Sequence, residues 1–128
     1  GNMDMMNDNL SFMRDFQPLN ETELEAIDKV REILIKQNQV ACTACRYCVD
    51  DCPQKINIPD IFKAVNAYKQ FGNAAGTNKP FNQWNYNNAT KDGGKASDCI
   101  QCGSCEAHCP QHINIIEELK TAAEVYDA

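Results

Sequence analysis

The chain has 128 residues, a formal charge of −6 and eight cysteines. Its length suits one domain, but its 25 Val, Ile, Leu and Phe residues, just under a fifth of the chain, are few for a self-supporting apolar core. The acidic balance and the dispersed Lys and Arg argue against a nucleic-acid-binding surface. Because the sequence has neither a long apolar run nor a signal peptide, we expect no membrane span and a reducing, cytoplasmic environment.

The first elements in chain order are a tail and a helix. Residues 1–19 contain all four methionines and are interpreted as a tail. Asn20 and Glu23 have the spacing of a capping box. Apolar side chains then recur at helical spacing, which predicts a helix over about residues 21–37. They are Leu24, Ile27, Val30 and Leu34.

Three further helices are predicted around the cysteines. Pro59 opens a helix that Gly72 ends, because proline suits a first helical turn and glycine a helix terminus. Within the Asn- and Gly-rich residues 73–98, apolar spacing from Phe81 to Asn88 predicts a short helix, which ends by Gly93-Gly94. Another helix is predicted over about residues 116–126. Since no segment alternates apolar and polar residues, the sequence predicts an all-α fold with loops around the cysteines.

An internal repeat contains all the cysteines. Both runs read C-x-x-C-x-x-C-x-x-x-C-P, and equivalent cysteines are 57 positions apart. Residues 42–64 and 99–121 share 10 identities in 23 positions, six of them outside the cysteines. A whole structural unit was therefore duplicated.

The spacing of each run is that with which bacterial ferredoxins hold two [4Fe-4S] clusters. Three thiolates at two-residue gaps can surround one cubane, while the fourth, fixed before proline, points toward the neighbouring cluster. This rule assigns the first cluster to Cys42, Cys45, Cys48 and Cys109. It assigns the second cluster to Cys99, Cys102, Cys105 and Cys52.

Other uses of eight cysteines are less well supported by the pattern. Structural zinc sites usually pair two separated C-x-x-C units, and disulfides are disfavoured in a reducing compartment. A [3Fe-4S] cluster at one of the two sites stays an alternative. Such sites often lack the second cysteine of the run, whereas Cys45 and Cys102 are both present here. Isoleucines 56, 58, 113 and 115 are expected to pack over the clusters or in the core. His108, His112 and Tyr47 are either neighbours of the clusters or ordinary surface and packing residues.

Several strings resemble the ferredoxin-like C-terminal domain of iron–sulfur aldo/keto reductases. They are residues 42–48 (CTACRYC), 56–59 (INIP), 93–99 (GGKASDC) and 109–113 (CPQHI). In that family a (β/α)8 reductase barrel precedes an α-helical domain with two [4Fe-4S] clusters. Residues 2–19 are similar to the last barrel segment and its linker. The resemblance thus implies a boundary between residues 1–19 and an α-helical dicluster domain at residues 20–128.

The ligand pattern predicts an electron-transfer domain, and the resemblance implies that it is excised from an aldo/keto reductase-like oxidoreductase. The chain has no counterpart of the barrel's catalytic residues, so no catalytic site is predicted in it. The expected partners are the parent's barrel and an external one-electron donor or acceptor. The alternatives are a free-standing ferredoxin, an iron–sulfur subunit of another oxidoreductase, and a structural module in which bound metal only stabilises the fold.

Overall fold

The computed structural model describes residues 1–73 and 77–128. Within these residues the chain forms seven α-helices and one short 3-10 helix, and it contains an isolated bridge between Asn73 and Pro80 but no strand. The all-α prediction is confirmed. The helices are α1 (Met3–Arg14), α2 (Glu21–Lys36), α3 (Tyr47–Asp50), α4 (Ile58–Phe71), α5 (Gln83–Thr90), α6 (Ser104–Ala107) and α7 (Ile115–Tyr126), with the 3-10 turn at Ala96–Asp98 between α5 and α6.

The chain divides into two compact units, Gly1–Lys36 and Gln37–Ala128. The first contains α1 and α2, and all of its side chains are exposed. The predicted capping box begins α2: the Asn20 side chain accepts from the Glu23 N–H at 3.0 Å, and the Glu23 carboxylate accepts from the Asn20 N–H at 2.9 Å. The expected tail, residues 1–19, is largely helical. Its assignment to the end of an upstream domain stays a prediction.

The second unit contains both cysteine runs. Helix α4 has Pro59 in its first turn and ends at Gly72, whose φ of 65° is a left-handed conformation that glycine readily adopts. Helix α7 begins one residue before its predicted start. The short helix expected from Phe81 to Asn88 is shifted two residues toward the C-terminus, as α5. Residues 74–76 of the 73–98 segment lie outside the described residues.

Helices α4, α5 and α7 pack together around a tyrosine pair. The ring of Tyr126 stacks on Tyr86 with centroids 4.6 Å apart. Its hydroxyl is within hydrogen-bonding distance of two main-chain carbonyls, Ala64 at 2.7 Å and Phe81 at 2.8 Å. Burial raises the pKa of Tyr126 to about 12, so this hydroxyl stays a donor at neutral pH. The pair thus joins α4, α5 and α7 through one buried hydrogen-bonded centre.

Among the described residues, no helix combines the length and apolar character needed to cross a bilayer.

Gly93 and Gly94 let the segment before the second cysteine run pack closely against the segment that follows the first run. A Cβ at Gly93 would overlap the Lys55 carbonyl oxygen. A Cβ at Gly94 would overlap the Gln54 carbonyl oxygen and lie 3.0 Å from the Ile56 side chain. The Gly94 N–H also donates to the Lys55 carbonyl at 3.3 Å. The pair was predicted to end a helix, but here its missing side chains permit close backbone contact.

We expect Gly94→Ala to lower the free energy of unfolding by about 1–3 kcal/mol, since the added methyl forces the two backbone segments apart. Thermal unfolding checks this. The matched control is Asp92→Ala, whose side chain is exposed, and which should stay within about 0.5 kcal/mol of the parent. Equal stability of Gly94→Ala and the control would show that the backbone contact at Gly94 tolerates a side chain.

Candidate metal centre

Both cysteine loops turn with the same backbone conformation. Each has three residues with positive φ at equivalent positions, two between the cysteines and one shortly after the last cysteine. The equivalent pairs are Ala44 and Gln101 (φ 56° and 57°), Arg46 and Gly103 (69° and 78°), and Lys55 and His112 (52° and 51°). The internal repeat in the sequence is therefore a repeat of loop geometry.

Burial of the cysteines follows the repeat as well. The third cysteine of each run, Cys48 or Cys105, is 8 % exposed, and the second, Cys45 or Cys102, lies at the surface. Burial, aided by the neighbouring thiols of Cys42, Cys45 and Cys109, raises the pKa of Cys48 to about 11.

The thiol of Cys105 has the same property. Its pKa is raised to about 11, chiefly by burial, with Glu106 and Cys99 contributing. Both buried thiols are therefore protonated at neutral pH in the metal-free chain, and a metal that binds them must displace those protons.

Two cavities lie between the loops. Three cysteines of one run and the last cysteine of the other run line each cavity. The cavity that we name site 1 is lined by Cys42, Cys45, Cys48 and Cys109. The cavity that we name site 2 is lined by Cys52, Cys99, Cys102 and Cys105.

The remaining walls are mostly apolar. The four isoleucines singled out in the sequence all line a cavity: Ile56 lines site 2, Ile113 and Ile115 line site 1, and Ile58 lines both. Phe62 of α4 also lines site 1, and Leu119 of α7 also lines site 2. Sequence reasoning missed the last two, although each lies four positions after an isoleucine that opens its helix, on the same helical face.

The family profile of the 4Fe-4S dicluster domain matches residues 41–114. This match covers more than half of the chain and includes all eight cysteines. The chain belongs to the 4Fe-4S dicluster domain family. No curated protein and no solved structure matches the chain significantly.

The residues of this dicluster domain fit two [4Fe-4S] clusters. Each site offers four thiol ligands and apolar walls, which is the donor set that such clusters require. The thiols of each site stand around a cavity. Within residues 1–73 and 77–128, no three Cys, His, Asp or Glu side chains form a group that could hold a single metal ion.

Polar side chains fix the segment that leads into each run. The Asn66 side chain on α4 accepts from the Val40 N–H at 2.6 Å and donates to the Val40 carbonyl at 2.9 Å. In the second repeat, Asp127 accepts from the Ser97 N–H at 3.0 Å. Ser97 is the equivalent of Val40, so the dicluster domain holds the approach to each first cysteine at the same point by different chemistry.

The histidines and Tyr47 lie at the surface. His108 lines site 1 and its Nδ1 is 3.0 Å from an Asp51 carboxylate oxygen, but both side chains are about half exposed. Tyr47 is 63 % exposed, and His112 is exposed. Neither Tyr47 nor His112 is among the described residues that line the two sites.

A compensated difference separates the two repeats at the start of α4 and α7. Pro59 in the first turn of α4 has no N–H, and residue 49 of the same repeat is the apolar Val49. The equivalent residues of the second repeat are Ile116 and Glu106, and the Glu106 carboxylate accepts from the Ile116 N–H at 2.9 Å. The acidic side chain is thus present in the repeat that has a donor to satisfy.

We expect Glu106→Val to destabilise the domain by about 1–2 kcal/mol, because it leaves a partly buried donor unpaired. Glu106→Val/Ile116→Pro reproduces the Val49 and Pro59 pair of the first repeat and removes that donor. The double variant should therefore lose less stability than the sum of both single variants. Denaturant unfolding of the four proteins measures this coupling, and strict additivity would contradict it.

Proposed function

We propose that this dicluster domain transfers single electrons between two [4Fe-4S] clusters held by crossed ligand sets. Cys42, Cys45, Cys48 and Cys109 hold the cluster of site 1. Cys99, Cys102, Cys105 and Cys52 hold the cluster of site 2. The observation that supports this assignment is the lining of the two cavities, each of which combines three cysteines of one run with the last cysteine of the other.

The side chains around each site suit this function. When bound, the clusters supply reversible one-electron chemistry. The cysteine thiolates hold them, and Ile56, Ile58 and Ile115, each 1–2 % exposed, exclude water from their inner faces. Ile58 lines both sites, so the two sites share one apolar wall residue. The exposed Cys45 and Cys102 bring each site to the surface, where an external partner can exchange electrons.

Charge favours a basic partner. A cubane with a core charge of about +2 and four thiolates carries about −2, so two clusters take the formal −6 to about −10. Such a charge accelerates encounter with cationic surfaces at low salt. The proposed external partner is therefore a one-electron donor or acceptor with a basic face.

We further propose that the domain serves an aldo/keto reductase-like barrel joined at its N-terminus, in the cytoplasm. The resemblance of residues 42–48, 56–59, 93–99 and 109–113 supports this proposal. Tethering would replace diffusion by a high effective concentration. The domain alone should accept electrons from dithionite but neither bind a nicotinamide nucleotide nor reduce a carbonyl. Turnover of reduced nicotinamide by the domain alone would contradict the proposal.

Protein purified under anaerobic conditions should contain about eight iron and eight sulfide per chain, the content of two cubanes. It should also be reduced and reoxidised reversibly by single electrons. Metal and sulfide analysis together with visible absorption checks this. Two zinc ions without sulfide would refute the cluster assignment, and clusters that accept no electron would favour a purely structural role.

Crossed ligation predicts opposite effects for two matched variants. Cys52→Ser should damage the cluster of site 2 and leave that of site 1 largely intact, whereas Cys109→Ser should do the reverse. Paramagnetic resonance of the reduced protein distinguishes the two clusters. If each variant instead damages the cluster of its own run, the assignment is wrong.

A further inference from the structure

The two sites differ in charge although their backbones are alike. Arg46 lines site 1, and its equivalent in the other loop is Gly103, which lines site 2. Among the described residues that line site 2, the cysteines are the only ionisable side chains. The repeat therefore offers an internal comparison, in which one loop has a permanent cation and the other has none.

The groups around Arg46 do not cancel its charge. Its guanidinium lies 3.4 Å from an Asp60 carboxylate oxygen and donates to Asn57 at 3.2 Å. Lys63 pairs with the same Asp60 at 2.5 Å, and chiefly through this contact lowers the pKa of that carboxyl. One carboxylate thus balances two cations, which leaves a net charge of about +1 by simple counting.

The equivalent group in the second repeat is neutral. Glu117 and Lys120 correspond to Asp60 and Lys63, and their side chains pair at 2.6 Å. With Gly103 in place of arginine, the second group lacks the extra cation.

Another charge difference acts in the same direction. Glu106, next to Cys105, has the apolar Val49 as its counterpart in the first repeat. Its carboxylate accepts a hydrogen bond from the N–H of Ile116, a residue that lines site 2. Arg46 thus adds a cation that lines site 1, and Glu106 adds an anion next to Cys105 of site 2.

Two other charge differences between the repeats, Asp50 for Ala107 and Lys55 for His112, are at exposed side chains that line neither site. His108 and Asp51 occupy equivalent positions and pair with each other at 3.0 Å.

We propose that Arg46 makes the cluster of site 1 the more easily reduced of the two and so sets the direction of internal electron transfer. Nearby positive charge stabilises the reduced, more negative form of a cluster. An external one-electron reductant would give one electron to the site 2 cluster and be oxidised by one electron. That electron would then pass to site 1, so that the site 2 cluster returns to its oxidised form and the site 1 cluster is reduced. No atom or proton is transferred. The inference rests on the crossed ligand sets proposed above.

The test exchanges the residues at the two equivalent positions. Arg46→Gly should lower the potential of the site 1 cluster, and Gly103→Arg should raise that of the site 2 cluster. At Gly103 an added Cβ meets nothing within 4 Å, and the observed φ of 69° at Arg46 shows that a similar backbone accepts arginine. The expected shift is about tenfold in the ratio of reduced to oxidised cluster, or about 59 mV for one electron.

Potentiometric titration of the loaded protein, followed by paramagnetic resonance, measures both potentials. Arg46→Lys is the conservative control, because it retains the charge without the planar guanidinium and should retain most of the potential difference. The double variant Arg46→Gly/Gly103→Arg should reverse the order of the two clusters. A loss of packing alone would not shift the two potentials in opposite directions.

Failure of this inference is distinguishable from failure of the proposed function. If both clusters assemble with crossed ligands but their potentials do not respond to Arg46→Gly and Gly103→Arg, the role of Arg46 is wrong and electron transfer stands. If the serine variants show uncrossed ligation, or no cubane forms, the proposed function itself fails. Should Arg46→Gly not assemble its cluster, Gly103→Arg alone decides, since an unshifted site 2 potential would overturn the inference.

Discussion

Each cysteine loop contributes its last cysteine to the cavity formed by the other loop, and most of the second unit is arranged around this exchange. Cys52 lines the cavity of the second run and Cys109 that of the first, and both loops have positive φ at equivalent positions. Metal bound in these cavities would join residues 47 to 67 positions apart along the chain. Such a link restricts the unfolded chain, which suits a domain whose sequence has few large apolar residues.

The apolar residues that are available are concentrated where the two loops meet. Ile58 lines both sites, and Phe62 and Leu119 add a second layer from α4 and α7. Behind them, the Tyr126 hydroxyl lies within hydrogen-bonding distance of two main-chain carbonyls, and its ring stacks on Tyr86. A small core therefore performs two tasks, since it holds the helices together and keeps water from the inner faces of the sites.

The two repeats have the same backbone turns but differ in the side chains at several equivalent positions. Val49 and Pro59 correspond to Glu106 and Ile116, a pair of changes that keeps the first turn of each helix satisfied. Asn66 and Asp127 hold the same point of each approach with different side chains. Arg46 and Gly103 share a backbone conformation but not a charge. Two sites built on equivalent backbone turns thus differ in their electrostatics, which is one of the factors that set the reduction potential of a cluster.

The sequence by itself determined the cysteine chemistry and the helical class, because ligand spacing, capping residues and apolar periodicity are local features. The repeat, the capping box at Asn20 and the stop at Gly72 were all readable from neighbouring residues. Only the tertiary structure decided that Gly93 and Gly94 pack on the Gln54 and Lys55 carbonyls, and that Leu119 borders site 2. It likewise decided that Asn66 fixes Val40 and that Arg46 shares Asp60 with Lys63. These contacts join residues from different elements, and no local pattern specifies which distant partner a side chain will meet.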